Sequence, residues 1–118
     1  MASIYIPMGS VATSKLIALA VVAANSAMTL PANAVIDYII VKNNTANAIT
    51  GGLKFGTTAG ATDIVVALAV GANALTFLTD ALLLQRIFST TVTQQIFIDA
   101  VVAWNSASVD ITIVYKQL

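Results

Sequence analysis

The sequence contains no cysteine, no histidine and no glutamate, and these absences exclude several kinds of chemistry. Without cysteine there is no disulfide framework, thiolate zinc site or cysteine nucleophile. Without histidine there is no proton shuttle near neutral pH and no imidazole metal ligand. The remaining acids are spread along the chain rather than clustered. The five acids are Asp37, Asp63, Asp80, Asp99 and Asp110. We therefore expect no enzyme, no cofactor and no metal site.

Charge is also scarce. Charged residues make up 8% of the chain and hydrophobic residues 58%, whereas soluble domains have about 25% and roughly 45–50%. The formal net charge is +0, so the basic surface of a nucleic-acid binder is missing. A neutral, apolar surface favours association. We expect much of the surface to be covered by further copies of the chain or by a partner.

What the sequence does contain is a series of short β-branched and apolar runs separated by turn signals. A chain of 118 residues has room for one domain. Runs of this kind predict an all-β, antiparallel β-sandwich or jelly roll. The clearest strand is at the C-terminus, where Val109, Ile111, Ile113 and Tyr115 alternate with polar or smaller residues. A short helix near 80–88, capped by Asp80, competes with a strand there.

The stretch Val35–Phe55 predicts two strands and a turn. Its first run is rich in β-branched residues, which suit a strand, and a polar turn over residues 42–47 follows. In the second run Ile49, Leu53 and Phe55 share one face. We interpret the stretch as a β-hairpin. The pair Gly51-Gly52 lacks the spacing of a phosphate-binding loop and predicts a kink or bulge in the second strand.

Residues 1–34 are expected to complete the sandwich or to extend to a neighbouring subunit, while residues 35–118 form its main part. The run Lys15–Met28 has three interpretations. A signal peptide would fit a basic residue, an apolar segment and Ala32-Asn33-Ala34. A membrane span would need ~20 apolar residues, and this run is far shorter. A buried strand is favoured, with a short helix as its competitor.

Two further runs predict strands. Asp63–Val70 is continuously apolar after its first residue, which is typical of a fully buried strand, although periodicity alone does not distinguish it from a buried helix. A short strand at Leu75–Leu78 follows. Thr93–Val102 alternates, with Ile96, Ile98, Ala100 and Val102 on one face.

A few polar and aromatic residues are candidates for recognition. Trp104, the single tryptophan, and Asn105 occur in a predicted loop, where an indole could stack on a sugar; a core or subunit interface is the favoured interpretation. Asp80 and Arg86 could form a structural salt bridge. Asp99 and Asp110 could face each other on adjacent strands as a glycosidase-like pair, but we interpret them as solvated or interfacial acids.

Three segments of the second half carry a distinctive order of residues: Lys42–Asp63, Ile98–Ala100 and Ala103–Ser108. They resemble small virion proteins of tailed bacteriophages, namely the decoration (cement) or head-fibre proteins on the outside of capsids. The resemblance implies a β-sandwich or jelly roll, often a homotrimer, that binds the major capsid protein at the capsid surface. No catalytic motif accompanies it, and we expect no nucleic-acid or membrane partner.

Two other functions are compatible with the same sequence. One is a carbohydrate- or receptor-binding module of a head or tail fibre that uses Trp104. The other is a coat or tail-tube subunit that polymerises by itself. Glycan binding lost on substitution of Trp104 would favour the first, and polymerisation of the purified chain would favour the second.

Overall fold

The computed structural model describes residues 10–17, 26–79, 83–84 and 92–117. Within these residues the chain is all-β and has no helix, which confirms the predicted antiparallel β-sandwich. The described residues contain eight strands: β1 (Ser10–Ile17), β2 (Ser26–Leu30), β3 (Ala34–Asn43), β4 (Ile49–Gly56), β5 (Val65–Val70), β6 (Leu75–Leu78), β7 (Gln94–Ala100) and β8 (Val109–Gln117).

The strands form two four-stranded sheets. One sheet has the order β1-β8-β3-β6 and the other β2-β7-β4-β5, and every pairing is antiparallel. Among the described strands, β4 and β5 are the one consecutive pair that shares a sheet. The chain therefore crosses between the sheets at almost every connection, and each sheet combines strands from distant parts of the sequence.

The core lies between the sheets, and strands β2 to β8 each contribute residues from one face to it. Successive side chains in a strand point to opposite faces. Every second side chain of an alternating run therefore points into the core. Full burial of such a side chain contributes about 1.5–3 kcal/mol. The largest fully buried side chains are Leu30, Ile36, Ile39, Leu53, Phe55, Ile64, Leu78, Ile96, Ile98, Ile111 and Ile113.

The predicted hairpin over Val35–Phe55 is wrong. Both strands exist, but β3 pairs with β6 and β8 whereas β4 pairs with β5 and β7. Residues 44–48 therefore carry the chain from one sheet to the other. The side-chain pattern indicates a strand and its buried face, but it carries no information about which strand is the neighbour.

The run Asp63–Val70 also differs from its prediction. Strand β5 occupies its last six residues, but at the edge of a sheet, and Val66, Ala67 and Ala69 are exposed. Apolar composition favoured a fully buried strand because edge position is set by the neighbours rather than by the run itself. The short strand Leu75–Leu78 is confirmed as β6, the edge strand of the other sheet.

The N-terminal run contributes to two strands rather than one. Its first residues belong to β1, which pairs with β8, and its last to β2, which pairs with β7. A single buried strand over Lys15–Met28 is thus wrong, and residues 18–25 are outside the described part. An extension of residues 1–34 to a neighbouring subunit stays a prediction.

The helix predicted near 80–88 lies almost entirely outside the described residues. Only Leu83 and Leu84 are described, and neither is in a helix or a strand. Leu83 is buried in the core, and the Leu84 N–H donates to the Ile64 carbonyl at 2.8 Å. This segment therefore passes beside the start of β5.

Candidate interaction surface at one end of the sandwich

Three loops meet at one end of the sandwich: residues 44–48, 71–74 and 101–108. We call this region the loop end. The Asn73 N–H donates to the Thr45 carbonyl at 2.8 Å, which joins the first two loops. The Asn44 N–H donates to the Ser108 carbonyl at 2.9 Å, which joins the first and third. Connections that are far apart in sequence thus form one hydrogen-bonded surface.

Asn43, the last residue of β3, holds the loops of the loop end together through its buried side chain. Its side chain is buried, at 1% exposure. Nδ2 donates to the carbonyls of Asn47 at 2.7 Å and Gly71 at 3.0 Å. Oδ1 accepts from Thr45 N at 3.0 Å and Thr45 Oγ1 at 2.7 Å. Because an amide side chain offers two donors and two acceptor lone pairs, these four bonds satisfy it completely.

Trp104 lies in the third loop. Its ring is partly buried and packs against the core. The indole Nε1–H donates to Asp99 Oδ1 at 3.2 Å, and the Ala100 N–H donates to the same oxygen at 2.8 Å. Since indole nitrogen has a single donor, a ligand at this site would have to use the ring alone.

Asn105 fastens the third loop to β4. Asn105 and the following Ser106 have φ values of 54 and 63°, in the left-handed region that asparagine tolerates better than most residues. The Asn105 Nδ2 donates to the Ala48 carbonyl at 2.9 Å and to Thr50 Oγ1. A turn held at both its backbone and its side chain presents a fixed surface.

The two glycines predicted as a bulge lie directly beneath this loop. Gly51 and Gly52 have φ values of 79 and 84°. Between the pairs Ile49↔Val70 and Leu53↔Leu68, β4 advances four residues and β5 only two, so β4 holds two extra residues here.

At the bulge, β4 accepts backbone hydrogen bonds from the third loop. The Val101 N–H donates to the Gly52 carbonyl at 2.9 Å, and the Val102 N–H donates to the Thr50 carbonyl at 3.3 Å. A Cβ on Gly51 would lie 2.8 Å from Val102 Cγ2. The structure thus brings together Trp104, Asn105, Gly51 and Gly52, which the sequence suggested separately.

Val101 and Val102 are the large exposed apolar residues of the loop end, at 41% and 69%. The prediction that Val102 shares the face of Ile96, Ile98 and Ala100 is wrong, because β7 ends at Ala100 and the chain bends. Two consecutive valines after a strand could have revealed this site, since alternation buries only one of any two neighbours.

The charged residues do not form a reactive group. Asp99 is on β7 and Asp110 on β8, in different sheets, so the suggestion that they face each other on adjacent strands is wrong. Asp80 and Arg86 lie outside the described residues, and their salt bridge stays a prediction. In the described part, Lys116 Nζ lies 3.8 Å from Asp37 Oδ1.

Within the residues that the structure describes there is no cavity, and no three histidine, cysteine or acidic residues lie close enough to hold a metal ion. The described part also contains no helix long and apolar enough to cross a membrane. The loop end is therefore considered as a surface for recognition rather than as a pocket.

Similarity to known proteins is found among solved structures. No family model matches the sequence, and no curated protein matches it. Among solved structures, the chain is similar to a chain from the capsid of Ralstonia phage GP4, with a TM-score of 0.61 and 15% sequence identity. The similarity covers 100% of this chain and 91% of that one. At this identity the comparison establishes a shared fold.

Proposed function

We propose that the chain is a structural virion protein that decorates the outside of a tailed-bacteriophage capsid. The observation that carries the proposal is the fold, which is shared over the full chain with a chain from a phage capsid. The sequence supports it as well, because residues 42–63, 98–100 and 103–108 resemble decoration or head-fibre proteins. In this role the chain is a homo-oligomer, a trimer by the same resemblance, that binds the major capsid protein and stabilises the shell.

The strand order supports the jelly-roll form of this fold. The orders β1-β8-β3-β6 and β2-β7-β4-β5 are those of eight strands in two interlocked Greek keys, the arrangement used by viral capsid domains. In such a fold the core occupies the inner faces of the sheets, which leaves the end loops, the sides and the outer faces for recognition.

We place the capsid contact at the loop end. Trp104 and Asn105, predicted from sequence as interface residues, lie there beside the exposed Val101 and Val102. An interface needs an apolar centre with a polar rim, and the asparagines of the neighbouring loop provide such a rim. The hydrogen bonds that hold the loops reduce the ordering cost of binding.

The test is co-sedimentation with capsids assembled in a strain that lacks the gene for this chain. We expect saturable binding by the wild type and a loss of binding for Val102→Lys. Gln95→Lys, at an exposed position on a central strand, is the matched control and should bind normally. No binding by the wild type would overturn the proposed function. Normal binding by Val102→Lys would overturn only the placement of the contact.

A second candidate function is that of a shell subunit. The similar solved chain belongs to a capsid, and this favours a coat subunit as well as a decoration protein. A coat subunit polymerises into shells or tubes when purified alone, whereas a decoration protein stays a small oligomer until capsids are added. Electron microscopy of the purified chain distinguishes the two.

A further inference from the structure

The loop end carries no charge. Its three loops contain no lysine, arginine, histidine, aspartate or glutamate. They form one continuous surface, because Asn73 N donates to the Thr45 carbonyl and Asn44 N donates to the Ser108 carbonyl. Residues 18–25, which follow β1 in sequence and are outside the described part, contain no charged residue either. The uncharged stretches are therefore brought together by the fold into a single region.

The charged residues on the strands next to these loops are arranged in opposite pairs. On β3 and β8, Lys42 lies opposite Asp110. On β4 and β7, Lys54 lies opposite Asp99. Lys15, on the edge strand β1, is one register position further from the loops than Asp110. Because the two charges of a pair have opposite signs, their fields largely cancel at a distance, and salt screens what remains.

Two asparagine side chains of the loop end are left for a partner. Asn44 and Asn73 are both exposed, and their backbone N–H groups are bonded to neighbouring loops. Their side-chain carboxamides make no hydrogen bond within the described residues, whereas those of Asn43, Asn47 and Asn105 do. A carboxamide offers both donors and acceptors, so each of the two can bond to another amide.

The backbone that carries these two side chains is fixed. The buried amide of Asn43 holds the 44–48 and 71–74 loops. Asn73 has a φ of 52°, in the left-handed region that asparagine tolerates. Only the side-chain torsions of Asn44 and Asn73 remain to be ordered on binding, which lowers the entropic cost of a contact.

We propose that Asn44 and Asn73 make the polar contacts of the loop end, and that the face of the capsid subunit they bind is uncharged and presents amide groups. A charged group on that face would lose hydration without gaining an ion pair. Main-chain or side-chain amides would instead exchange hydrogen bonds with the two carboxamides. The inference rests on the proposed function, because it names the chemistry of the capsid contact.

The first test is the dependence of capsid binding on salt. Co-sedimentation of the wild type with capsids is measured from about 0.01 M to about 0.15 M sodium chloride, which shortens the Debye length from about 30 to about 8 Å. The dissociation constant should change by less than about twofold, since neutral groups are not screened. A several-fold loss of affinity over this range would overturn the inference and leave the proposed function intact. No binding at any salt concentration would overturn both.

The second test adds charge of either sign at one exposed position. Asn44→Asp and Asn44→Lys should both weaken capsid binding several-fold, with circular dichroism and melting temperature unchanged. Tighter binding by either variant would overturn the inference, because it would reveal a charge of the opposite sign on the capsid face. Gln95→Asp and Gln95→Lys, on the outer face of a central strand, are the matched controls and should bind like the wild type.

A third test removes the carboxamides without adding charge. Asn44→Ala, and Asn73→Gly, which suits the left-handed φ, should each weaken capsid binding several-fold through loss of a hydrogen bond between neutral groups. The folded structure should be unchanged by circular dichroism. Wild-type affinity in both variants would overturn the role of the two asparagines.

Discussion

Asn43 shows how one polar side chain fixes the arrangement of a whole surface. It is the buried polar residue of the described part, and it is bonded to the backbone of both the 44–48 and 71–74 loops. Buried polar groups are stable only when they are hydrogen-bonded. Because the buried amide must be hydrogen-bonded, it stabilises the one conformation of the 44–48 and 71–74 loops that supplies its partners.

Substitution of Asn43 by leucine should lower the free energy of unfolding by about 2–3 kcal/mol, because the carbonyls of Asn47 and Gly71 lose their donor and Thr45 loses its acceptor. Asn43→Asp should do similar damage by placing an acceptor against those carbonyls. Asn44→Ala, at the exposed neighbouring position, is the control and should change stability by less than about 0.5 kcal/mol. Urea denaturation measures all three. An Asn43→Leu variant as stable as the control would contradict this role.

Asp63 makes a local cap in the β4–β5 loop at the opposite end. Its carboxylate accepts hydrogen bonds from Thr57 N at 2.8 Å and from Thr57 Oγ1. Burial acts to raise the pKa of Asp63, but these bonds and one from its own N–H outweigh it, and the net pKa lies below the ordinary value. The charged form is therefore favoured in the folded state.

A carboxylate whose pKa is lower in the folded state contributes stability above its unfolded pKa, and that contribution is lost as the pH falls through the folded pKa. We expect Asp63→Asn to be less stable than the wild type at pH 7. The difference should shrink as the pH falls below about 4, near the unfolded pKa of aspartate. Chemical denaturation at several pH values checks this, and a difference that is independent of pH would refute it. Thr57→Val should reduce the pH dependence.

At the level of the strands, β4 differs from the others because it carries the double-glycine bulge. Gly51 and Gly52 have different surroundings. A Cβ on Gly52 would lie 2.4 Å from the carbonyl oxygen of Leu68, which is backbone, whereas a Cβ on Gly51 would meet the side chain of Val102. Backbone of a paired strand has little freedom to move, but a largely exposed valine can adjust.

We expect Gly52→Ala to cost about 3 kcal/mol or more, from the left-handed φ together with overpacking. Gly51→Ala should cost about 1–2 kcal/mol, mainly from its φ. Val102→Ala should recover part of the loss in Gly51→Ala and none in Gly52→Ala. Thermal or urea unfolding measures these differences in the three single variants and in the two double variants that combine Val102→Ala with Gly51→Ala or Gly52→Ala. Equal costs at the two glycines would show that their different neighbours, Val102 and the Leu68 carbonyl, do not determine the cost.

The whole molecule is neutral and apolar, and its stability should be linked to association. A partner that binds only the folded chain raises the apparent stability by mass action. The melting temperature of the wild type should therefore rise with protein concentration. A wild-type melting temperature that does not depend on concentration would argue against an oligomer.

The strands and their buried faces were predictable from the sequence because they depend on local side-chain chemistry. The run Val109–Tyr115 alternates, and its odd positions are buried or packed on the core. The same holds for Ile96, Ile98 and Ala100 on β7. The chemistry excluded by the missing cysteine and histidine was likewise fixed by composition alone.

Strand partners were decided only by the tertiary structure. The turn after β3 was expected to close a hairpin, but Asn43 bonds to a loop 28 residues away, and the chain crosses to the other sheet. No local sequence pattern predicts such a long-range hydrogen bond. For the same reason an apolar run expected in the interior became the edge strand β5, and Trp104, Asn105, Gly51 and Gly52 became neighbours. Alternation determines which side chains seek the core, whereas long-range packing determines which strands are adjacent and which surfaces remain outside.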